Sequence, residues 1–365
     1  MISMKKILFI DRDGTIIKEP EDEQVDTLEK LEFVPGAIGA LSAICSGLDF
    51  DLVMVTNQDG LGTGAFPEES FWPAHNKMMD ILKGEGVCFS EVLIDRSSAS
   101  ENAFTRKPGT GLVTHYLKGD FDLKNSFVIG DRLTDVQFAK NIGCNAILIG
   151  TVATADAILT TERWDEVYRF LKARPRVAEI RRKTSETDVY ILLNIDGEGN
   201  YKADTGIGFL DHMLSQTARH GGLDLVVKAN GDLYIDEHHT VEDVALVFGK
   251  AISEALGSRK GIERYGFCLP MDDSLEQVAI DFSGRPWLVW EATFNREKIG
   301  DMPTELLKHF FKSFCDTSGC NLNIKAEGLN EHHKAEAIFK AFGKAIRGAV
   351  RKNGSDKLPT TKGML

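Results

Sequence analysis

Short, nearly unbroken apolar runs punctuate the first half of the chain, at residues 5–10, 51–55 and 126–129. Runs of that length without alternation predict strands buried on both faces, as in a parallel sheet. Longer stretches with helical spacing separate them, which predicts an α/β doubly wound parallel sheet. A helix is predicted over residues 161–172. In the second half, residues 189–195 and 223–229 read as strands, and two related segments read as helices. Glu237-His238-His239-Thr240-Val241-Glu242 and Glu331-His332-His333-Lys334-Ala335-Glu336 both fit Glu-His-His-x-x-Glu. Each is followed at the same offset by Phe-Gly-Lys-Ala-Ile, at residues 248–252 and 342–346. A repeat of this kind predicts two similar structural units. Between the two patterns lies a basic, Pro-containing stretch at residues 171–176 without a Gly/Ser spacer. It predicts a short linker between a domain at 1–170 and one at 177–365.

Composition adds bounds. The chain has 365 residues, 42% hydrophobic and 27% charged, enough for two domains with their own cores. Its net charge of −12 and its pI of about 5.3 argue against nucleic-acid binding. Local Arg and Lys clusters can still hold small phosphates. The apolar run before Asp11 is too short for a signal peptide. No stretch approaches a membrane span, so the expectation is a cytoplasmic protein. Six Cys without a Cys-x-x-Cys read as free thiols in a reducing compartment.

The predicted N-terminal strands deliver polar residues at their C-terminal ends, the ligand-binding edge of such sheets. These are Asp11-Arg12-Asp13-Gly14-Thr15, Thr56-Asn57-Gln58 and Gly130-Asp131-Arg132-Leu133-Thr134-Asp135, with Lys107-Pro108 between the last two. A carboxylate can attack phosphorus, and a second acid two residues on can move the proton. A hydroxyl and a Lys can neutralise phosphoryl oxygens, and clustered carboxylates suit Mg²⁺. The four motifs, in this order, resemble those of the haloacid-dehalogenase superfamily of phosphatases. The resemblance implies Asp11 as nucleophile and Asp13 as general acid/base. Thr56, Asn57 and Lys107 would bind phosphate. Asp11, the backbone carbonyl of Asp13 and Asp131 would hold Mg²⁺, supported by Asp135.

The C-terminal repeat also includes a single His upstream of each pair, His212 and His309. Six His and two Glu make three His and one Glu for each of two transition metals, with positions open for a substrate nitrogen. Adjacent His on a helix point about 100° apart, so each pair should serve two different metals. That favours sites shared between repeats or between subunits. Asp211-His212-Met213, the His-His-Thr-Val-Glu-Asp run, Ser283-Gly284-Arg285-Pro286 and the terminal Lys362-Gly363 resemble imidazoleglycerol-phosphate dehydratase, from about Arg176 onward. The order of the two halves is similar to that of the bifunctional histidinol-phosphatase/dehydratases of bacterial histidine biosynthesis.

That resemblance implies an α+β domain made of two similar sheet-and-helix halves, and two Mn²⁺ held by His212, His238, His239, Glu242, His309, His332, His333 and Glu336. It implies Glu186 and Glu336 as proton-transfer groups. It implies Arg264, Arg285, Lys340, Thr360 and Lys362 as substrate-phosphate contacts. Partners would be small phosphorylated imidazole substrates, with no nucleic acid and no membrane. Assembly would be a homo-oligomer, a 24-mer built through the C-terminal domain. One departure stands out. A zinc loop of Cys and His precedes Lys-Pro in such phosphatases, and here its positions are Asp95, Ser97, Ala103 and Thr105. No structural Zn²⁺ is expected. Another small phosphoester, or a regulatory module without catalysis, remains an alternative for the N-terminal half. The Pro/Thr/Gly-rich tail reads as frayed.

Overall fold

A computed structural model describes residues 5–266, 269–355 and 357–363, so Cys268 lies outside the described residues. The chain forms two compact units, Met1–Arg174 and Pro175–Leu365.

The first unit is a six-stranded sheet in which every neighbouring pair is parallel. Its strands are β1 (Ile7–Ile10), β2 (Asp51–Asn57), β3 (Phe89–Asp95), β4 (Phe127–Gly130), β5 (Asn145–Ile149) and β6 (Leu159–Thr161), in the order β3-β2-β1-β4-β5-β6. The helices are α1 (Ala37–Gly47), α2 (Glu68–Gly84), α3 (Thr114–Lys118), α4 (Leu133–Ile142) and α5 (Trp164–Lys172). Leu8 and Ile10 feed one core with Leu41, Met78 and Trp164. Ile7 and Phe9 feed the opposite one with Val136 and Phe138. Burial on both faces is why this strand lacks alternation. The strand order reverses between β1 and β4, which opens a crevice at their C-terminal ends.

One boundary differs from expectation. Thr161 belongs to β6 and the helix starts at Trp164, because the Thr161 hydroxyl accepts a hydrogen bond from the Arg163 N–H (3.1 Å) and turns the chain first. The helix ends at Lys172, as expected.

The second unit repeats one motif. β7 (Val177–Lys183) leads into β8 (Thr187–Asn194), β9 (Tyr201–Asp204), α6 (Gly208–Gly221), β10 (Asp224–Gly231) and α7 (His238–Leu256). Two short strands follow, β11 (Tyr265–Gly266) and β12 (Leu269–Met271), before β13 (Ser274–Asp281) and β14 (Trp287–Ala292). After the small hairpin β15 (Lys298–Ile299) and β16 (Met302–Pro303) come α8 (Glu305–Ser318), β17 (Asn321–Glu327) and α9 (Glu331–Val350). β10 pairs antiparallel to β8 and parallel to β9, and β17 likewise pairs antiparallel to β13 and parallel to β14.

The helices pair across the halves, α7 on α8 and α6 on α9. Between and beneath them Phe310, Phe311, Phe314, Phe339 and Phe342 form one aromatic core. Burying each such ring contributes about 1.5–3 kcal/mol. The tail is not simply frayed. Its described residues carry no helix or strand, but Lys357 and Pro359 carbonyls accept hydrogen bonds from the Gly261 N–H (3.0 Å) and Arg264 Nη1 (2.9 Å).

Candidate active sites

The N-terminal site is a cleft of about 850 Å³ at the crevice beyond β1, lined by Asp11, Asp13, Thr56, Asn57, Lys107 and Asp135 among others. Asp11, Asp131 and Asp135 bring carboxylate oxygens within 4.8 Å of one another. Gly14 makes this approach possible: its φ is +69°, and a Cβ there would overlap the Asp131 carboxylate. Lys107 Nζ lies 2.6 Å from both Asp11 and Asp135. Asn57 brackets the Lys107 backbone, with Oδ1 accepting its N–H (3.0 Å) and Nδ2 donating to its carbonyl (3.3 Å). Asn57, expected at the phosphate, thereby holds the backbone of the lysine that faces Asp11.

Burial pushes Asp11 up to about 8, against the pull of Lys107. Burial, then the neighbouring Asp135, pushes Asp131 up to about 6. Burial works against the Lys107 ammonium, but Asp11 and Asp135 outweigh it and keep it charged. Three carboxylates, one with an unpartnered buried oxygen (Asp131 Oδ1), suit a hard divalent cation. The Asp13 carboxyl turns away from this cluster, accepting from Arg12 Nη1 (2.8 Å) and Gln58 Nε2 (2.6 Å). In place of a metal loop, residues 95–106 are tied by their own side chains. Ser98 and Glu101 form a capping box, and Arg106 pairs with Asp59.

In the C-terminal unit the single histidines are exchanged. His212 of the first half meets His332 and Glu336 of the second, and His309 of the second meets His238 and Glu242 of the first. His309 Nε2 is 3.0 Å and His238 Nε2 3.5 Å from Glu242 Oε2. His212 and His332 Nε2 stand 3.8 and 3.7 Å from the Glu336 oxygens. α7 starts at His238 and α9 at Glu331, and in each a side chain two residues before the first His of the pair takes a backbone N–H of the first turn. Asp236 accepts from the His238 N–H (2.8 Å), and Asn330 from the His332 N–H (3.0 Å). The His309 imidazole beside it holds the Glu242 carboxyl low. Burial raises Glu336, but Lys340 at 2.9 Å overcomes it and holds Glu336 low as well.

The second histidine of each pair diverges, with interplanar angles of 79° in both pairs. His239 Nδ1 lies 3.0 Å from Asp232, and its Nε2 lies 4.0 Å from Glu186. His333 Nδ1 lies 3.0 Å from Asp273. One chain therefore assembles two clusters of two His and one Glu, not the expected three His and one Glu. His239 and His333 are left with Nδ1 fixed by a carboxylate, the arrangement that orients a metal-ligating Nε2. Imidazole with carboxylate suits a transition metal. Sequence missed Asp232 and Asp273. Their offsets from the histidines, 7 and 60 residues, break the repeat.

The expected phosphate contacts come from α9, the turns before β11 and β14, and the tail. Arg264, at φ +72°, pairs with Asp281 (2.5 Å) and holds the tail through Pro359. Thr360 Oγ1 accepts from the Lys362 N–H (3.1 Å) on that tail. Lys340 flanks Glu336, and Arg285 is exposed on the turn before β14.

Comparison with known proteins places both units. The family profile described as imidazoleglycerol-phosphate dehydratase matches residues 205–346, and the HAD-hydrolase-like profile matches residues 104–172. The histidine biosynthesis bifunctional protein HisB of Spirosoma linguale is 58% identical, over 99% of this chain and 100% of that protein. The chain belongs to the HisB family. HisB of Bacteroides fragilis is 56% identical and that of Stenotrophomonas maltophilia 48%, each over 99% of this chain and 100% of the relative. Membership makes this a bifunctional enzyme of histidine biosynthesis, with a phosphatase-type unit and a dehydratase-type unit. Both parent families are metal-dependent, and the three clusters above are where metals fit. Among the described residues no helix is long and apolar enough to cross a membrane.

Proposed function

We propose that the N-terminal unit hydrolyses L-histidinol phosphate and that the C-terminal unit dehydrates imidazoleglycerol phosphate to imidazole acetol phosphate. Both reactions would take place in the cytoplasm. The Lys107–Asp11 pair at the base of the cleft carries the first half of this reading. Asp11 Oδ attacks phosphorus while the bond from phosphorus to the alcohol oxygen breaks and Asp13 gives that oxygen its proton. Water then attacks phosphorus, Asp13 takes a proton back, and the Asp11–phosphorus bond breaks to release phosphate. Lys107 and Thr56 neutralise the phosphoryl oxygens. Mg²⁺, held by Asp11, Asp131 and the Asp13 carbonyl with Asp135 beside them, would lower the charge on the phosphoryl group.

The exchanged His/Glu clusters carry the second half. The hydroxyl next to the imidazole ring leaves with a proton as water, and the following carbon loses a proton. The resulting enol becomes the ketone. Glu186, near His239, and Glu336, near His212, are assigned the transfer of those protons. Two Mn²⁺ would polarise the ring. Arg264, Arg285, Lys340, Thr360 and Lys362 are assigned to the substrate phosphate. His239 and His333, unspent within one chain, support ligation by a second copy and hence a homo-oligomer, a 24-mer. The exposed Tyr234 and Ile235 beside Asp232 offer apolar surface for it. The side-chain ties of residues 95–106 support a loop without structural Zn²⁺.

Single-site variants test both halves. Asp11→Asn should abolish phosphate release from histidinol phosphate and leave dehydration intact, and Glu336→Gln should do the reverse. Equal loss of both activities in either folded variant would rule out two independent sites. Elemental analysis should find Mn near two per chain, and stoichiometric Zn in the phosphatase-type unit would overturn that assignment.

A further inference from the structure

Arg12 is completely buried, yet the proposed chemistry gives it nothing to do. Its Nη1 faces the Asp13 carboxylate at 2.8 Å and Gln58 Oε1 at 3.5 Å, while Nε and Nη2 find no hydrogen-bond acceptor. Its guanidinium stacks over the Phe71 ring, 4.9 Å from the centroid. A charge buried this deeply is held by its counter-ion, so Asp13 is tied to it. Gln58, itself buried, completes the arrangement. Nε2 has two hydrogens and spends both, on Asp13 Oδ2 (2.6 Å) and on Thr56 Oγ1 (2.8 Å). The amide can sit only this way round, because a flip would face its oxygen with the Asp13 carboxylate and its NH₂ with the guanidinium. Its backbone N–H is fixed too, donating to the Asp95 carbonyl (2.7 Å). Because Thr56 Oγ1 accepts from Gln58, its own hydrogen is directed elsewhere.

We propose that Gln58 is a positioning residue of the phosphatase site, one amide that aims both the Asp13 carboxyl and the Thr56 hydroxyl, locked from behind by Arg12. This rests on the phosphatase reading above. A group that only braces the fold would slow all substrates alike. A group that aims Asp13 should matter most where the leaving oxygen needs a proton. An alkyl alkoxide needs one; a nitrophenolate leaves without it.

The test is kcat/KM of the full chain with Mg²⁺ on histidinol phosphate and on p-nitrophenyl phosphate. Gln58→Leu should lower the aryl value by a few-fold, through Thr56, and the alkyl value by at least about tenfold more. Arg12→Lys should show the same leaning toward the alkyl substrate, more weakly. If Arg12→Lys does not fold, Gln58→Leu decides alone. An alkyl-to-aryl ratio unchanged in a Gln58→Leu protein of wild-type melting temperature would overturn the inference while leaving the phosphatase reading in place. Wild-type protein that hydrolyses neither ester would overturn both.

Discussion

Loading Mg²⁺ at the N-terminal carboxylates should expel close to one proton at neutral pH. In the metal-free chain burial lifts Asp11 to about 8 and Asp131 to about 6. At pH 7 Asp11 is then roughly nine-tenths protonated and Asp131 roughly one-tenth, and a cation that needs both as carboxylates displaces the sum. The sign follows: a raised pKa means protons compete with the metal, so Mg²⁺ binds more tightly as pH rises. Affinity should climb about tenfold between pH 6.5 and 7.5 and level off above pH 9. Asp11, Asp135 and Lys107 interact so closely that the proton belongs to the set, and the count, not its owner, is measured. The assay is titration calorimetry of the full chain, its C-terminal sites preloaded with two equivalents of Mn²⁺, in buffers of different ionisation enthalpy. Asp11→Asn should cut the count at pH 7 to roughly one-tenth. Tight binding with no proton released at pH 7 would refute the reasoning, because Lys107 would then have overcome burial before the metal arrived.

Three further outcomes are expected. Glu242→Gln and Glu336→Gln each remove the one anionic ligand of a cluster, so each should lower metal content by about one ion per chain and collapse dehydration; full metal retention would contradict the ligand sets. Asp232→Asn and Asp273→Asn should weaken metal binding about 10–100-fold. The effect should be larger for Asp232, whose side chain is 8% exposed against 36% for Asp273, and a reversed order in competition with a chelator would count against their orienting role. Strong chelation should dissociate the assembled particle and Mn²⁺ restore it; light scattering that finds the large particle after verified metal removal would end that linkage.

Much of this was legible in the chain because the relevant chemistry sits at fixed offsets from hydrophobic signals. Asp11 follows a four-residue apolar run, and parallel strands place such residues at one edge. The His pairs open helices whose periodicity and caps lie within a few residues. What stayed hidden was nonlocal. A repeat says that α6 and α8 are alike, but not that each packs beside the other half's His pair. Asp273 reaches His333 only through the hairpin of β12 and β13, a pairing no local pattern encodes. Nothing local in the sequence marks Arg12, next to Asp13, as buried. Only the packing of Phe71 and Gln58 around it shows that it is buried.

The crossing of His212 and His309 makes each half depend on the other. Either half alone, with its own single His and His pair, holds no complete cluster, since α6 and α7 do not supply the same one. Two copies of one half, docked as the halves dock here, would hold two. A chain of one half would thus hold such sites only as a dimer, and carrying both halves in tandem makes that encounter intramolecular, at an effective concentration on the order of millimolar. The same geometry makes cutting the chain between α7 and α8 informative. Each fragment should be metal-poor alone, and mixing them should recreate both sites at once.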